Sequence, residues 1–241
     1  MTFTQAEFDI RLEWGMQGVT QLAPISDVII VVDVLSFSTS VEIATSRDVL
    51  VYPYRQGEVS AQAYAKMLGA ELAEKGRGSK VSLSPLAMSK IPIGAKIVLP
   101  SPNGSTLSLA TGTTPTLAGC LRNARACAVS ASRVGRRIAL IPAGERWPDG
   151  SLRPAFEDLI GAGAIIQHLE GKVSPEAQAA GSAFLAAERK LTNLMLRSGS
   201  GKELVERGFR DDVLLASQLN VSDCVPILQE GAYRIQSKDD V

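Results

Sequence analysis

Runs and alternations of apolar residues set out the elements of this chain. Val28-Ile29-Ile30-Val31-Val32 is a continuous β-branched stretch, which predicts a strand covered on both faces. Lys96-Ile97-Val98-Leu99 and Arg137-Ile138-Ala139-Leu140-Ile141 share that character, and Val49-Leu50-Val51-Tyr52 is a shorter fourth. Phe8 to Trp14 alternates apolar and polar residues and predicts a half-buried strand, antiparallel or at an edge. Helical periodicity fills the intervals. Ser60 is placed to cap a helix through about Lys75, with Ala61, Ala65, Leu68 and Leu72 on one face. A second helix runs from Ala155 to Leu169, with Phe156, Leu159, Ile160 and Gly163 inward. A third carries Ala180, Phe184, Ala187, Leu191 and Leu194. Ser200-Gly201-Lys202-Glu203 has the form of a capping box with Gly208 as its stop, and Asp211 is placed to cap a helix through Leu219. Gly76 to Gly94, rich in Gly, Ser, Pro and Lys, reads as a long surface loop. Buried strands alternating with amphipathic helices predict a three-layer α/β domain spanning residues 1–241.

Composition narrows the chemistry. A chain of 241 residues buries enough surface to fold without disulfides or a structural metal. Its 25 Lys+Arg balance 25 Asp+Glu, which argues against nucleic-acid binding by bulk charge. No apolar run approaches the roughly 20 residues of a membrane span, and Met1 to Glu7 lacks the marks of a signal peptide. Cys120, Cys127 and Cys224 have no metal-ligand spacing, and Cys120 and Cys127 are expected as small core residues. A reduced, cytoplasmic protein is the expectation. One histidine, His168, excludes a multi-histidine zinc centre; any acids, bases or metal ligands are expected to be carboxylates.

Three polar loops follow predicted strands and lead into helices, where ligands collect in open α/β sheets. In the first, Asp33 ends a strand and Ser36, Ser38, Thr39 and Ser40 lie where a helix begins, a seat suited to an anion. A purely structural account has Asp33 end the strand while Ser36 or Ser38 caps the helix. In the second, Ser101-Pro102-Asn103-Gly104-Ser105 is either a turn or a loop in which Asn103 offers an amide and Gly104 lets backbone approach an anion. The third holds Glu145, Asp149, Glu157 and Asp158 with Arg146 and Arg153. Glu157 and Asp158 also suit a first helical turn, whereas Glu145, directly after a strand and Ala-Gly, has the strongest claim to chemistry. Arginines at such an edge can grip phosphate or carboxylate, and Trp147 is placed to wall a pocket. Carboxylate oxygens suit Mg²⁺, which keeps waters and bridges to phosphate.

These loops, in this order, resemble the 2-phosphosulfolactate phosphatase family. Its Asp-Val-Leu-Arg and Thr/Ser cluster is matched by Asp33-Val34-Leu35-Ser36 with Ser38-Thr39-Ser40, and its Asn-Gly-Thr/Ser loop by Asn103-Gly104-Ser105-Thr106. Leu121-Arg122-Asn123-Ala124, Ala143-Gly144-Glu145, Glu157-Asp158 with Gly161-Ala162-Gly163-Ala164, Gly208-Phe209 with Asp212-Val213, and Val225-Pro226 continue the match. The resemblance implies an α/β/α fold with a mixed, mostly parallel central sheet. It also implies a Mg²⁺-dependent phosphatase acting on a small anionic phosphate ester, neither nucleic acid nor membrane being a partner and homodimerisation left open. On these positions the expected catalytic residues are Asp33, Asn103 and Glu145, with Mg²⁺ ligands among Asp33, Glu145, Glu157 and Asp158. Substrate is expected at Ser36, Ser38, Thr39, Ser40, Gly104, Ser105, Arg122, Asn123, Arg146 and Arg153. Attack by water is preferred to attack by Asp33. The chain departs from the family at Ser36, where the family has Arg, and at Glu74-Lys75-Gly76-Arg77 and Leu83-Ser84-Pro85. The lost arginine favours one rival reading, a non-catalytic or altered homologue that binds a small organic phosphate or sulfonate. A third reading is an oligomeric scaffold with structural turns.

Overall fold

In the computed structural model, which describes residues 2–55, 57, 59–74 and 80–236, strands form where apolar runs are long. They are β1 (Ile10–Leu12), β2 (Val28–Val32), β3 (Leu50–Tyr54), β4 (Glu71–Leu72), β5 (Lys96–Pro100), β6 (Thr116–Gly119), β7 (Ile138–Pro142), β8 (Glu145–Arg146), β9 (Leu152–Arg153), β10 (Pro226–Gln229) and β11 (Ala232–Ile235). The helices are α1 (Gly15–Leu22), α2 (Phe37–Thr45), α3 (Ala61–Leu68), α4 (Pro85–Met88), α5 (Gly104–Ser108), α6 (Ala124–Val134), α7 (Phe156–Ile166), α8 (Pro175–Ala187), α9 (Leu191–Arg197), α10 (Gly199–Glu206) and α11 (Arg210–Ala216). Among these residues no helix is long and apolar enough to cross a membrane.

Nine strands form one mixed sheet, in the order β1-β7-β2-β6-β10-β11-β3-β5-β4, while β8 and β9 make a separate ribbon. Pairing is parallel within β1-β7-β2-β6 and within β3-β5-β4. The hairpin β10–β11 joins the two blocks by antiparallel pairs, so the blocks run in opposite senses. Alternate residues of β2 face opposite layers. Val28, Ile30 and Val32 pack with residues of α6, α7 and α8, while Ile29 and Val31 pack with Val19 and Leu22 of α1 and Leu107 of α5. This gives the α/β/α arrangement. A further cluster surrounds α2, where Phe37, Val41 and Ala44 meet Val51, Ile97, Leu99 and Tyr233. All nine residues of α2 are buried. It touches β6, β10, β11 and β3, so the junction of the two blocks folds about it.

Several local expectations need correction. β1 is at an edge, but it pairs in parallel and is wholly buried. Arg11 escapes the polar-outside rule because its guanidinium donates to the Ile25 carbonyl and the Ser26 hydroxyl, both at 3.1 Å. Ser60 does cap α3, accepting from the Ala63 N–H, but the helix stops at the left-handed Gly69 and Leu72 belongs to β4; Lys75 lies outside the described residues. Of the expected surface loop, Gly76 to Ser79 also lie outside them, as does Arg77 of the family departure. Residues 80–94 instead contain α4 and the buried Val81, Met88 and Ile91. The cap of α10 is Ser198, which accepts from the Gly201 N–H, not Ser200. Phe209, not Asp211, precedes α11, and the helical run after Ala180 breaks at a single 3₁₀ turn, Glu188–Lys190. Cys120 and Cys127 are core residues whose thiols burial holds well above their ordinary pKa.

Candidate active site

The loops after β2, β5 and β7 meet at one place. In a flat sheet with opposed blocks, the carboxyl ends of β2 and β5 would lie at opposite rims. The loop after β5 nevertheless reaches that after β2, where the Gly104 N–H meets the Asp33 carboxylate. Asp33 marks the meeting point. One carboxylate oxygen accepts the Phe37 N–H of α2 and the other the Gly104 N–H of α5, each at 3.0 Å. Both donors lie in first helical turns, where unpaired N–H groups and the helix dipole favour an anion. Gly104 is required there, since a Cβ would stand 2.2 Å from the Phe37 ring. Its backbone does approach an anion, and that anion is Asp33.

The hydroxyls that follow are turned inward. Ser38 donates to the Val31 carbonyl at 3.0 Å and Thr39 to that of Val34 at 2.8 Å. Ser40 donates to Leu83 at 2.9 Å and Ser105 to Leu99 at 2.7 Å. All four are buried, so the expectation that they bind phosphoryl oxygens gives way to a role in fixing the loops. A hydroxyl on a buried turn satisfies the nearest orphan carbonyl. Ser36 is buried too.

Glu145 enters from the loop after β7, behind Gly144, whose φ of 67° is left-handed and where a Cβ would lie 2.7 Å from Leu152. Asn103 donates its side-chain amide to the Glu145 carboxylate at 3.0 Å. Burial, reinforced by the negative charges of Asp33 and Glu157, raises the Glu145 carboxyl to about 7, with the Asn103 bond and Arg153 opposing. Asp158, in the first turn of α7, is spent differently. It accepts the Val34 N–H and the Gly144 N–H, both at 2.8 Å. One buried carboxyl thus clamps the chain neighbours of Asp33 and Glu145. Burial and the charges of Asp33 and Glu157 push its pKa well up. Glu157 is buried, and among the described residues its Oε2 has no hydrogen-bond partner.

The arginines separate. Arg122 pairs with the buried Glu42 at 2.7 Å and also donates to Gln218, so its charge is already matched. Asn123 is a scaffold amide, donating to the Ala118 and Cys224 carbonyls and accepting from the Cys120 N–H. Arg146 is exposed and donates to the Gly150 carbonyl at 2.9 Å. Arg153 lies opposite Glu145 in the β8–β9 ribbon. Trp147 is half exposed beside it, its ring centroid 5.8 Å from the guanidinium. His168 is exposed at the far end of α7. Glu42 and Asp212 escape the reading of the sequence. Glu42 is one carboxylate in the otherwise apolar and hydroxyl run of α2, which is the signal that it needs a partner. Asp212 binds the Ser84 hydroxyl at 2.6 Å and the Leu86 N–H at 3.0 Å, a contact across 128 positions that no local pattern discloses.

Asp33, Asn103, Glu145, Glu157 and Asp158 are therefore brought together. Among the described residues no group of three or more acidic, histidine or cysteine side chains is placed to hold a metal ion. The orphaned Glu157 oxygen and the mutual repulsion of the carboxylates fit a cation that takes one or two of them and keeps its waters.

Fold and site together define an α/β protein with a carboxylate centre built from strand-end loops. Residues 17–231 match the family described as 2-phosphosulpholactate phosphatase, and the chain belongs to it; such phosphatases hydrolyse phosphate esters. A probable 2-phosphosulfolactate phosphatase of Carboxydothermus hydrogenoformans is 32% identical over 219 residues, covering 87% of this chain and 90% of the relative. The 2-phosphosulfolactate phosphatase of Methanothermobacter thermautotrophicus is 29% identical over 217 residues, covering 88% and 92%.

Proposed function

We propose that this protein is a Mg²⁺-dependent phosphatase of small anionic phosphate monoesters, with 2-phosphosulfolactate as substrate and sulfolactate and phosphate as products. The observation that carries the reading is the Glu145 carboxyl, held by Asn103 beside Asp33 and raised to about 7. A base is most effective when its pKa lies near the working pH. Asp33 and Glu157 would hold Mg²⁺, which would offset the charge of the phosphoryl group and acidify a water. Glu145 accepts a proton from the attacking water, and Asn103 orients that carboxylate. The new P–O bond forms as the bond from phosphorus to the ester oxygen breaks, and the departing alkoxide takes its proton from solvent. Both Asp33 oxygens already hold a backbone N–H, which lowers its nucleophilicity and favours attack by water. Asp158 keeps the two loops in register.

The test is phosphate release from 2-phosphosulfolactate with Mg²⁺ and with EDTA. Turnover that EDTA abolishes, and that Glu145→Gln lowers by about 10²-fold or more, is expected. Absence of turnover overturns the reading. Ser36, in place of an arginine, favours one rival, a homologue that binds such esters without cleaving them; binding without phosphate release is its signature.

A further inference from the structure

Resting on the phosphatase reading, we propose that Arg153 is the specificity-determining cation of this site and grips a second anionic group of the substrate, a carboxylate or sulfonate on the carbon skeleton of the ester. An ester bearing two or three negative charges must approach a centre that already contains Asp33, Glu145, Glu157 and Asp158. Positive charge beyond that of a divalent ion is needed to hold it, and the arginine expected at position 36 is a serine. Of the three arginines near these loops, Arg122 is matched by Glu42 and Arg146 bonds a carbonyl of its own turn. Arg153 is different in three respects.

It is the register partner of Glu145 in the two-stranded ribbon, and directly opposed residues project from the same face. Its charge is felt at Glu145. Yet no carboxylate of the described residues forms an ion pair with it. The guanidinium is instead set in position by neutral groups. Its Nη2 donates to the Ser200 hydroxyl at 3.1 Å, its other end lies on Gly199, where a Cβ would be 3.3 Å from Nη1, and Trp147 flanks it. A guanidinium has five N–H donors in a rigid fork. One is used by Ser200, so donors remain for an oxyanion, bidentately. With the phosphoryl group beside Asp33 and Asn103, the far end of a short ester falls to Arg153, which stands across the ribbon from the Asn103-bound Glu145.

The experiment measures calorimetric Kd and phosphate release separately, with Mg²⁺, for 2-phosphosulfolactate, 2-phospholactate and isopropyl phosphate. Arg153→Gln is expected to weaken binding of 2-phosphosulfolactate roughly ten- to hundredfold, to leave isopropyl phosphate within about twofold, and to be partly rescued in Arg153→Lys. Weakening of 2-phospholactate as well assigns the grip to the carboxylate; weakening of 2-phosphosulfolactate alone assigns it to the sulfonate. Equal Kd in wild type and Arg153→Gln, equal loss on all three esters, or no binding of 2-phosphosulfolactate by the wild type overturns the inference. Arg153-dependent binding without phosphate release overturns catalysis while supporting the inference.

Discussion

Glu145 carries the most informative titration in the molecule. Its carboxyl, ordinarily 4.5, stands at about 7 in the fold. Between those values the unfolded chain has lost the proton that the folded chain keeps, so ionisation favours unfolding. Stability contributed by this residue is present below about pH 4.5 and declines as pH rises to 7, by at most about 3 kcal/mol. In EDTA, Glu145→Gln is therefore expected to gain on the wild type in denaturant midpoint between pH 5 and pH 8; a constant difference across that range would contradict the shift. Mg²⁺ should narrow the gap at pH 8, because a cation offsets the same repulsion. Gly104 makes a steric prediction. Gly104→Ala places a methyl against Phe37, and overpacking should cost about 1–3 kcal/mol in urea unfolding while displacing the N–H from Asp33. At this scale the sequence picks out two of the carboxylates that the fold brings together, because Asp33 and Glu145 each follow a buried strand. It misassigns the hydroxyls, because Ser38, Thr39 and Ser105 bond carbonyls of the segment just before them and Ser40 bonds that of the distant Leu83, and a serine pattern reads alike for an anion seat and a locked turn.

Between elements, Asp158 is the tie that matters. It stands on α7, yet it bonds the N–H groups of Val34 and Gly144, so the loops after β2 and β7 are held by a third segment. Two acidic residues in a first helical turn look like dipole complements, which is why its crossing role is hidden from the local pattern. It is a positioning residue, and Asp158→Asn tests it. The amide can accept one N–H but turns its own N–H2 toward the other, a mismatch worth about 1–3 kcal/mol. Misplacement of Asp33 relative to Glu145 should lower kcat by about 10²-fold with KM changed far less. A loss confined to KM would instead make Asp158 a binding group. Helix ends give a cleaner comparison. Ser198→Ala should cost about 1 kcal/mol through the lost cap of α10. Ser200→Ala should cost little stability, since Ser200 serves Arg153 rather than the helix.

For the whole molecule, the sheet's continuity depends on its last two strands. Covered strands such as β2, β5 and β7 announce themselves by β-branched runs, and they place the three loops of the site in order. The hairpin β10–β11 does not. Pro226 to Ile235 is short and partly polar, and its place between β6 and β3 arises from pairing with strands more than 100 residues away. Long-range pairing of this kind has no local signature, so the opposed blocks and the burial of α2 are invisible in the sequence. Tyr233 shows what the hairpin holds. It is fully buried, its ring meets Phe37 of α2 edge-on at 6.0 Å, and its hydroxyl shares a 2.7 Å hydrogen bond with Ser108 of α5. It thereby braces the two helices whose first turns hold Asp33. Tyr233→Ala should remove about 3–5 kcal/mol of stability, as large aromatic deletions from cores do. Tyr233→Phe keeps the ring and loses only the hydroxyl, so it should cost about 0.5–1.5 kcal/mol. If α2 and α5 are braced from this side, Tyr233→Ala should also raise backbone hydrogen exchange at Phe37 and Gly104, the two donors to Asp33, more than at β1 on the opposite edge. Uniform loosening across the sheet would mean that the hairpin supports the fold without supporting the site.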